Sequence, residues 1–92
     1  MMGIPKVSVI IASYNKADLL AEAISSVLSQ NYHDFEVLVV DDGSQDNTIE
    51  RVEAFRKENP DKIFLYTHED HCNLGIVSTY QLGFSKARGE YI

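Results

Sequence analysis

The chain has one cysteine, no tryptophan, two prolines and 8 Lys and Arg against 14 Asp and Glu in 92 residues. A lone cysteine, Cys72, excludes an internal disulfide and fits a reducing compartment. The net charge of −6 argues against nonspecific nucleic-acid binding, which needs clustered cations to neutralise phosphates. No apolar run approaches the ~20 residues that cross a bilayer. The opening residues MMGIPK lack the charged start and apolar middle of a signal peptide, so the expected location is the cytoplasm. There is no internal repeat, low-complexity tract or linker.

What is present is ordinary globular composition, 45% hydrophobic and 24% charged. This suffices for one domain with a core that needs no disulfide or metal staple. Val7 to Ser13, VSVIIAS, is a β-branched run too continuous for a half-exposed strand, and suits a parallel strand covered on both faces. Leu19, Leu20, Ala23, Ile24, Val27 and Leu28 then repeat as pairs every four residues, which predicts an amphipathic helix. Asn15 is its expected N-cap, with Asp18 three residues on.

Phe35 to Val40 is the second expected strand. A second helix is expected from about Asn47 to Glu58, capped by Asp46. Its inner face is Ile49, Val52 and Phe55, with Glu53 and Lys57 paired outside. Asn59-Pro60-Asp61 stops it. Lys62 to Thr67 forms the third strand, with Phe64 and Tyr66 as packing residues. A third helix follows with Val77, Tyr80, Phe84 and Ala87 on one side, Gly83 at a close backbone contact, and Gly89 as its C-terminal glycine. Glu90-Tyr91-Ile92 opens a further apolar stretch. Strands alternating with amphipathic helices predict a three-layer α-β-α architecture around a parallel, Rossmann-like sheet with right-handed crossovers. A chain that stops at the start of a strand is expected to be the N-terminal piece of a longer protein.

In such sheets, ligands sit beyond the carboxyl ends of the strands. The loop after the first strand carries Ala12, Ser13, Tyr14 and Asn15. The loop after the second carries Asp41, Asp42, Gly43 and Ser44. An aromatic face and a carboxylate pair at one rim describe a nucleoside pocket better than a phosphate cradle. Neither G-x-G-x-x-G nor G-x-x-x-x-G-K-[ST] occurs. The competing explanation of D-D-G-S is a strand-to-helix turn, with a positive φ at Gly43 and a cap from Ser44 or Asp46. If Asp42 reads a base, Asp42→Asn should weaken binding and leave stability nearly unchanged.

VSVIIASYN, SVLSQ, FEVLVVDDGSQDNT, NLG and ARGEYI, in this order from Pro5 to Ile92, resemble the start of a family 2 glycosyltransferase with the GT-A fold. The opening segment is most similar to spore-coat and capsule polysaccharide transferases. The resemblance implies a donor that is a nucleotide-diphosphate sugar, with uridine as the base. It assigns the nucleotide site to Ala12, Tyr14, Asn15, Asp41, Asp42, Gly43, Asn73 and Gly75. Tyr14 would stack on uracil, the backbone near Ala12 would touch it, and Asp42 would accept its hydrogen bond. Asp41 would support the loop or face the ribose, and Asn73 to Gly75 would open the diphosphate segment.

The family pattern N-x-G-x-x-x-A-R-N-x-G is broken, because Tyr80 and Gln81 stand where Arg and Asn are common. In the parent enzyme, an acceptor hydroxyl deprotonated by a late carboxylate would displace the nucleoside diphosphate at the anomeric carbon. A divalent metal, Mn or Mg, would neutralise the leaving group. The metal-binding D-x-D and the catalytic base are expected beyond Ile92. Residues 1–92 are thus expected to be the nucleotide-sugar-binding half of a transferase domain, inert alone, with no catalytic residue or metal ligand of its own. The parent would work in the cytoplasm or at the inner face of the membrane.

Two other readings stay open. VLVVDD also resembles the acidic strand of a signalling receiver domain, although the acidic pair ends strand two and no Asp ends KIFLYT. The other is a segment with no binding function of its own, whose open sheet edge and uncovered apolar face pair with a second copy to give a homo-oligomer. His68, His71 and Cys72, in HEDHC, lack a fourth metal ligand and metalloprotease spacing, so a solvated loop is expected there.

Overall fold

A computed structural model describes residues 5–89. Glu90-Tyr91-Ile92 lie outside the described residues. Three strands, β1 (Val7–Ser13), β2 (Phe35–Asp41) and β3 (Ile63–Thr67), form a parallel sheet in the order β1-β2-β3. Helices α1 (Ala17–Leu28), α2 (Thr48–Glu58) and α3 (Ile76–Lys86) follow the three strands in turn. All seven residues of β2 are buried, which is why its middle, Val37 to Val40, is continuously apolar rather than alternating.

Side chains alternate across each strand. Val37, Val39 and Ile63 meet Leu20 and Ile24 of α1 and Val52 of α2 in one core, joined by Val7, Val9 and Ile11. On the opposite face, α3 rests on β1 and β2. This is the expected α-β-α layering. It also makes α3 run back over the first two strands, so the loops after β1 and β2 meet the start of α3 at one end of the sheet. Such a reversal is where open α/β sheets hold ligands.

Local details complete or correct the expectations. Val77, Tyr80 and Phe84 of α3 face outward, with Val77 67% exposed and Tyr80 stacked on Phe84 at 6.3 Å. The face against the sheet is Thr79 and Gly83. A Cβ at Gly83 would come within 2.7 Å of Ile10 Cγ2, so the expected close contact is there and small residues decide which side packs. Gly89 is not the helix C-cap, which is Ala87 in extended conformation. Instead, a Cβ at Gly89 would sit 2.7 Å from both N and Oγ of Ser8.

At α1, the N-cap position is Lys16, with no cap from its own side chain, and Leu19 of the expected stripe is exposed. Asn15 sits at φ 50°. Asp46 Oδ2 accepts from Ala17 N of α1, while Asp46 Oδ1 accepts from Thr48 N of α2. One carboxylate therefore caps two helices, and its bond from the Thr48 hydroxyl leads the causes that hold it below its usual pKa. Finally, Glu53 pairs with Arg56 at 2.7 Å rather than with Lys57.

The far end of the sheet is closed by a buried carboxylate. Glu36 is 1% exposed. Its Oε2 accepts from Ser8 Oγ at 2.7 Å and Arg88 N at 2.8 Å, and its Oε1 accepts from Arg88 Nε at 2.9 Å. Ser8 Oγ in turn accepts from Gly89 N. Arg88 also lies over the ring of Phe64, and Lys86 over Tyr66, which fits the packing role read for both aromatics. The segment after α3 is thereby latched beneath β1 and β2.

Candidate functional site

The two loops at the carboxyl ends of β1 and β2 are stitched together. Asn15 N donates to Ser44 Oγ at 2.8 Å, and Gln45 N donates to Asn15 Oδ1 at 2.7 Å. The left-handed backbone of Asn15 is what turns both groups toward the second loop, a conformation Asn tolerates better than most residues. This replaces its expected helix-capping role.

Asp41 is fully buried. Its Oδ2 accepts from Ser44 N at 2.8 Å and its Oδ1 from Ser44 Oγ at 2.5 Å. Asp41 thereby supports the loop that follows β2. Gly43 follows at φ 80°, and a Cβ there would lie 2.9 Å from Asn73 N and from the Cys72 carbonyl carbon. Both the positive φ and the close passage of a second chain segment require glycine.

Asp42 faces the other side of the sheet. Its Oδ1 accepts from Leu74 N at 2.7 Å, and Gly75 N lies 3.0 Å from Oδ2 and 3.2 Å from Oδ1. Asn73 Nδ2 donates to the Asp42 carbonyl at 2.9 Å. The NLG motif is therefore folded onto Asp42 before any ligand arrives. Substituting Asp42 would disturb these backbone bonds together with any base contact, so the expectation that Asp42→Asn spares stability is withdrawn.

Glu69, Asp70, His71 and Cys72 are exposed, as a solvated loop would be, and only His68 of HEDHC departs from that expectation. His68 is buried, with Nε2 3.1 Å from Thr79 Oγ1 and 3.4 Å from Asp42 Oδ1. His71 Nε2 donates to the Ser44 carbonyl at 2.9 Å and stands 3.8 Å from Asp41 Oδ2. His68 lies beside the Asp42 carboxylate, and His71 holds the Ser44 carbonyl of the second loop. Among the described residues no group of three or more His, Cys, Asp or Glu could hold a metal ion.

A recess of about 240 Å³ opens at this rim, lined by Ala12, Ser13, Tyr14, Asp42, Ile76 and Thr79. Tyr14 is 47% exposed, leaving part of its surface accessible to solvent. Ala12, Tyr14 and Asp42 thus share one recess, and Asn73 and Gly75 adjoin it through Asp42. Asn15, Asp41 and Gly43 shape the loops around it. Sequence reasoning missed His68, Thr79 and Ile76. Only the start of a helix beside a buried loop brings them here, and no spacing signal announces that. Ser13 Oγ, also at this rim, is the one buried side-chain polar atom without a hydrogen-bond partner among the described residues. A larger trough of about 870 Å³ between α1 and α2 is open and lies away from these loops.

Residues 8–92 match the family described as Glycosyl transferase family 2. The chain belongs to glycosyltransferase family 2. It is 40% identical over 87 residues to an uncharacterised glycosyltransferase of Nostoc sp., covering 95% of this chain and 26% of that protein. It is 35% identical over 86 residues to the glycosyltransferase GlyG of Streptococcus pneumoniae, covering 94% of this chain and 28% of GlyG. Among solved structures, it superposes with a TM-score of 0.80 and 28% identity on the mannosyltransferase PcManGT of Pyrobaculum calidifontis in complex with GDP-Man and Mn2+. That match covers 94% of this chain and 25% of the mannosyltransferase. The family 2 chain thus spans about a quarter of the length of these relatives, and its fold is that of a GT-A enzyme. No helix among the described residues is long and apolar enough to cross a membrane.

Proposed function

We propose that residues 1–92 are the donor-recognition half of a transferase that moves a sugar from a nucleoside-diphosphate sugar to an acceptor hydroxyl in polysaccharide or cell-surface glycan synthesis. One observation carries the reading: half-exposed Tyr14 and the Asp42 carboxylate line the same recess at the carboxyl ends of β1 and β2. Tyr14 supplies a stacking face, and the Asp42 side chain supplies an acceptor for a base N–H. The backbone of Asn73 to Gly75 stands beside them, on the way to the diphosphate. Uridine is the proposed base on the family resemblance, and guanosine is its competitor, since the mannosyltransferase neighbour is in complex with GDP-Man. A divalent metal belongs to the proposed whole enzyme, with ligands outside this segment. The segment alone is proposed to be inactive, and the enzyme to act in the cytoplasm.

The test is an NMR titration of the folded chain with UDP, with GDP and CDP as controls and no metal added. Saturable UDP shifts at Tyr14 and Asp42 are expected. Tyr14→Ala should weaken binding about five- to a hundredfold with little change in Tm, because stacking on a base contributes about 1–3 kcal/mol and this ring is half exposed. Shifts with GDP alone would reverse the base assignment. Unchanged binding in Tyr14→Ala would remove Tyr14 from the site.

Self-association is proposed for the isolated segment. Leu74, Ile76, Val77 and Phe84 expose an apolar face along α3, and the outer edges of β1 and β3 carry no strand among the described residues. Such surfaces pair with a second copy. Sedimentation should show mass rising with concentration, and a constant monomer mass would count against it.

A further inference from the structure

We infer that His68 is a positioning residue for the Asp42 carboxylate, acting as a fixed Nε2–H donor from behind the recess. The inference rests on the nucleotide reading above. Thr79 Oγ1 lies 2.7 Å from the Gly75 carbonyl oxygen. A carbonyl can only accept, so the single Thr79 hydroxyl proton is committed there. Towards His68 Nε2, 3.1 Å away, Thr79 Oγ1 can therefore only accept. The proton of the neutral imidazole must then sit on Nε2, with Nδ1 bare.

The same Nε2–H stands 3.4 Å from Asp42 Oδ1. Its positive end adds to the Leu74 and Gly75 amides already directed at that carboxylate. Oδ2 receives only Gly75 N and keeps acceptor capacity for a ligand in the recess. Thr79 and Asp42 both line that recess, so the buried imidazole braces two of its walls at once. Support of this kind orients an acceptor without competing for its free lone pairs, as outer-shell partners do for ligating side chains.

Three measurements test it on the folded chain. Long-range 1H–15N spectra of the side chains should show neutral His68 as the Nε2–H tautomer, and an Nδ1–H tautomer would overturn the inference. His68→Leu should weaken UDP binding about tenfold, the scale of one lost buried hydrogen bond. His68→Gln, whose side-chain amide can reach the Nε2 position, should restore most of that loss. Equal affinity in His68→Leu and wild type would overturn the inference. If the wild-type chain binds no nucleotide, the donor-site reading falls and hydrogen exchange judges His68. Faster exchange at Leu74 and Gly75 in His68→Leu, slowed again in His68→Gln, upholds the positioning role. Unchanged exchange refutes it.

Discussion

Gly43→Ala should lower the stability of the chain by about 2–4 kcal/mol, from αL strain and a backbone clash together. At φ 80° an alanine is strained whatever its surroundings. Here the added Cβ also meets Asn73 N and the Cys72 carbonyl carbon at 2.9 Å, and Cys72 O at 3.1 Å. These are backbone atoms and cannot swing aside like the end of a side chain. Either the loop after β2 or the segment before α3 must move, and both are bound to Asp42. For a domain of this size, the cost corresponds to a Tm drop of about 10–25 °C. Thermal unfolding of the purified variant measures it. A loss below about 1 kcal/mol, well under the usual strain of a non-glycine residue here, would mean the two segments separate freely and the recess is not preformed.

Glu36→Gln should cost about 2–3 kcal/mol at neutral pH. Breaking a fully buried ion pair costs about 3–5 kcal/mol, and the value is reduced because the Arg88 side chain is 49% exposed and screened by water. The amide can still accept through one oxygen. It cannot satisfy Ser8 Oγ, Arg88 N and Arg88 Nε together as two carboxylate oxygens do.

The pH dependence follows from the direction of the Glu36 shift. Burial alone would raise its carboxyl pKa. Hydrogen bonds from Ser8 and Arg88, with the Arg88 charge, outweigh that and hold it below the usual 4.5. As pH falls, the unfolded chain therefore takes up this proton first. The stabilisation is complete above the unfolded pKa and drains away as pH drops through the lower folded value. Melts from about pH 6 to about pH 3 should show the gap between wild type and Glu36→Gln narrowing towards the acid end. A constant gap across that range would mean that the charge of Glu36 contributes nothing to the latch.

Strand positions were legible because a parallel strand buried on both faces has few sequences available to it. VSVIIAS and FEVLVV could hardly be anything else. The helices were legible in extent but not always in orientation. The stripe of Val77, Tyr80 and Phe84 is real, yet it faces away from the sheet. Periodicity says which residues share a face, not which face the sheet accepts. Thr79 and Gly83 won because small side chains let the helix approach Ile10 and Val40. The capping errors have a similar origin. Asn15 and Asp46 both have the chemistry of a cap, but a contact between two loops 29 residues apart gave both helix starts to Asp46.

For the candidate site, the sequence by itself determined the chemical groups at the rim: an aromatic on the first loop, two carboxylates and a glycine on the second, and the N-L-G turn. It determined the family as well, because ordered motifs over nearly the whole chain specify a fold more tightly than any one of them. Only the tertiary structure decided how these groups divide the work. Adjacent residues on a strand point to opposite faces, so neighbouring Asp41 and Asp42 have different partners. Asp41 is enclosed by Ser44, and Asp42 holds Leu74 and Gly75 and borders the recess. His68 joined the site for the same reason. Its place beside Asp42 depends on α3 folding back across the sheet, a long-range event that no local pattern around His68 encodes.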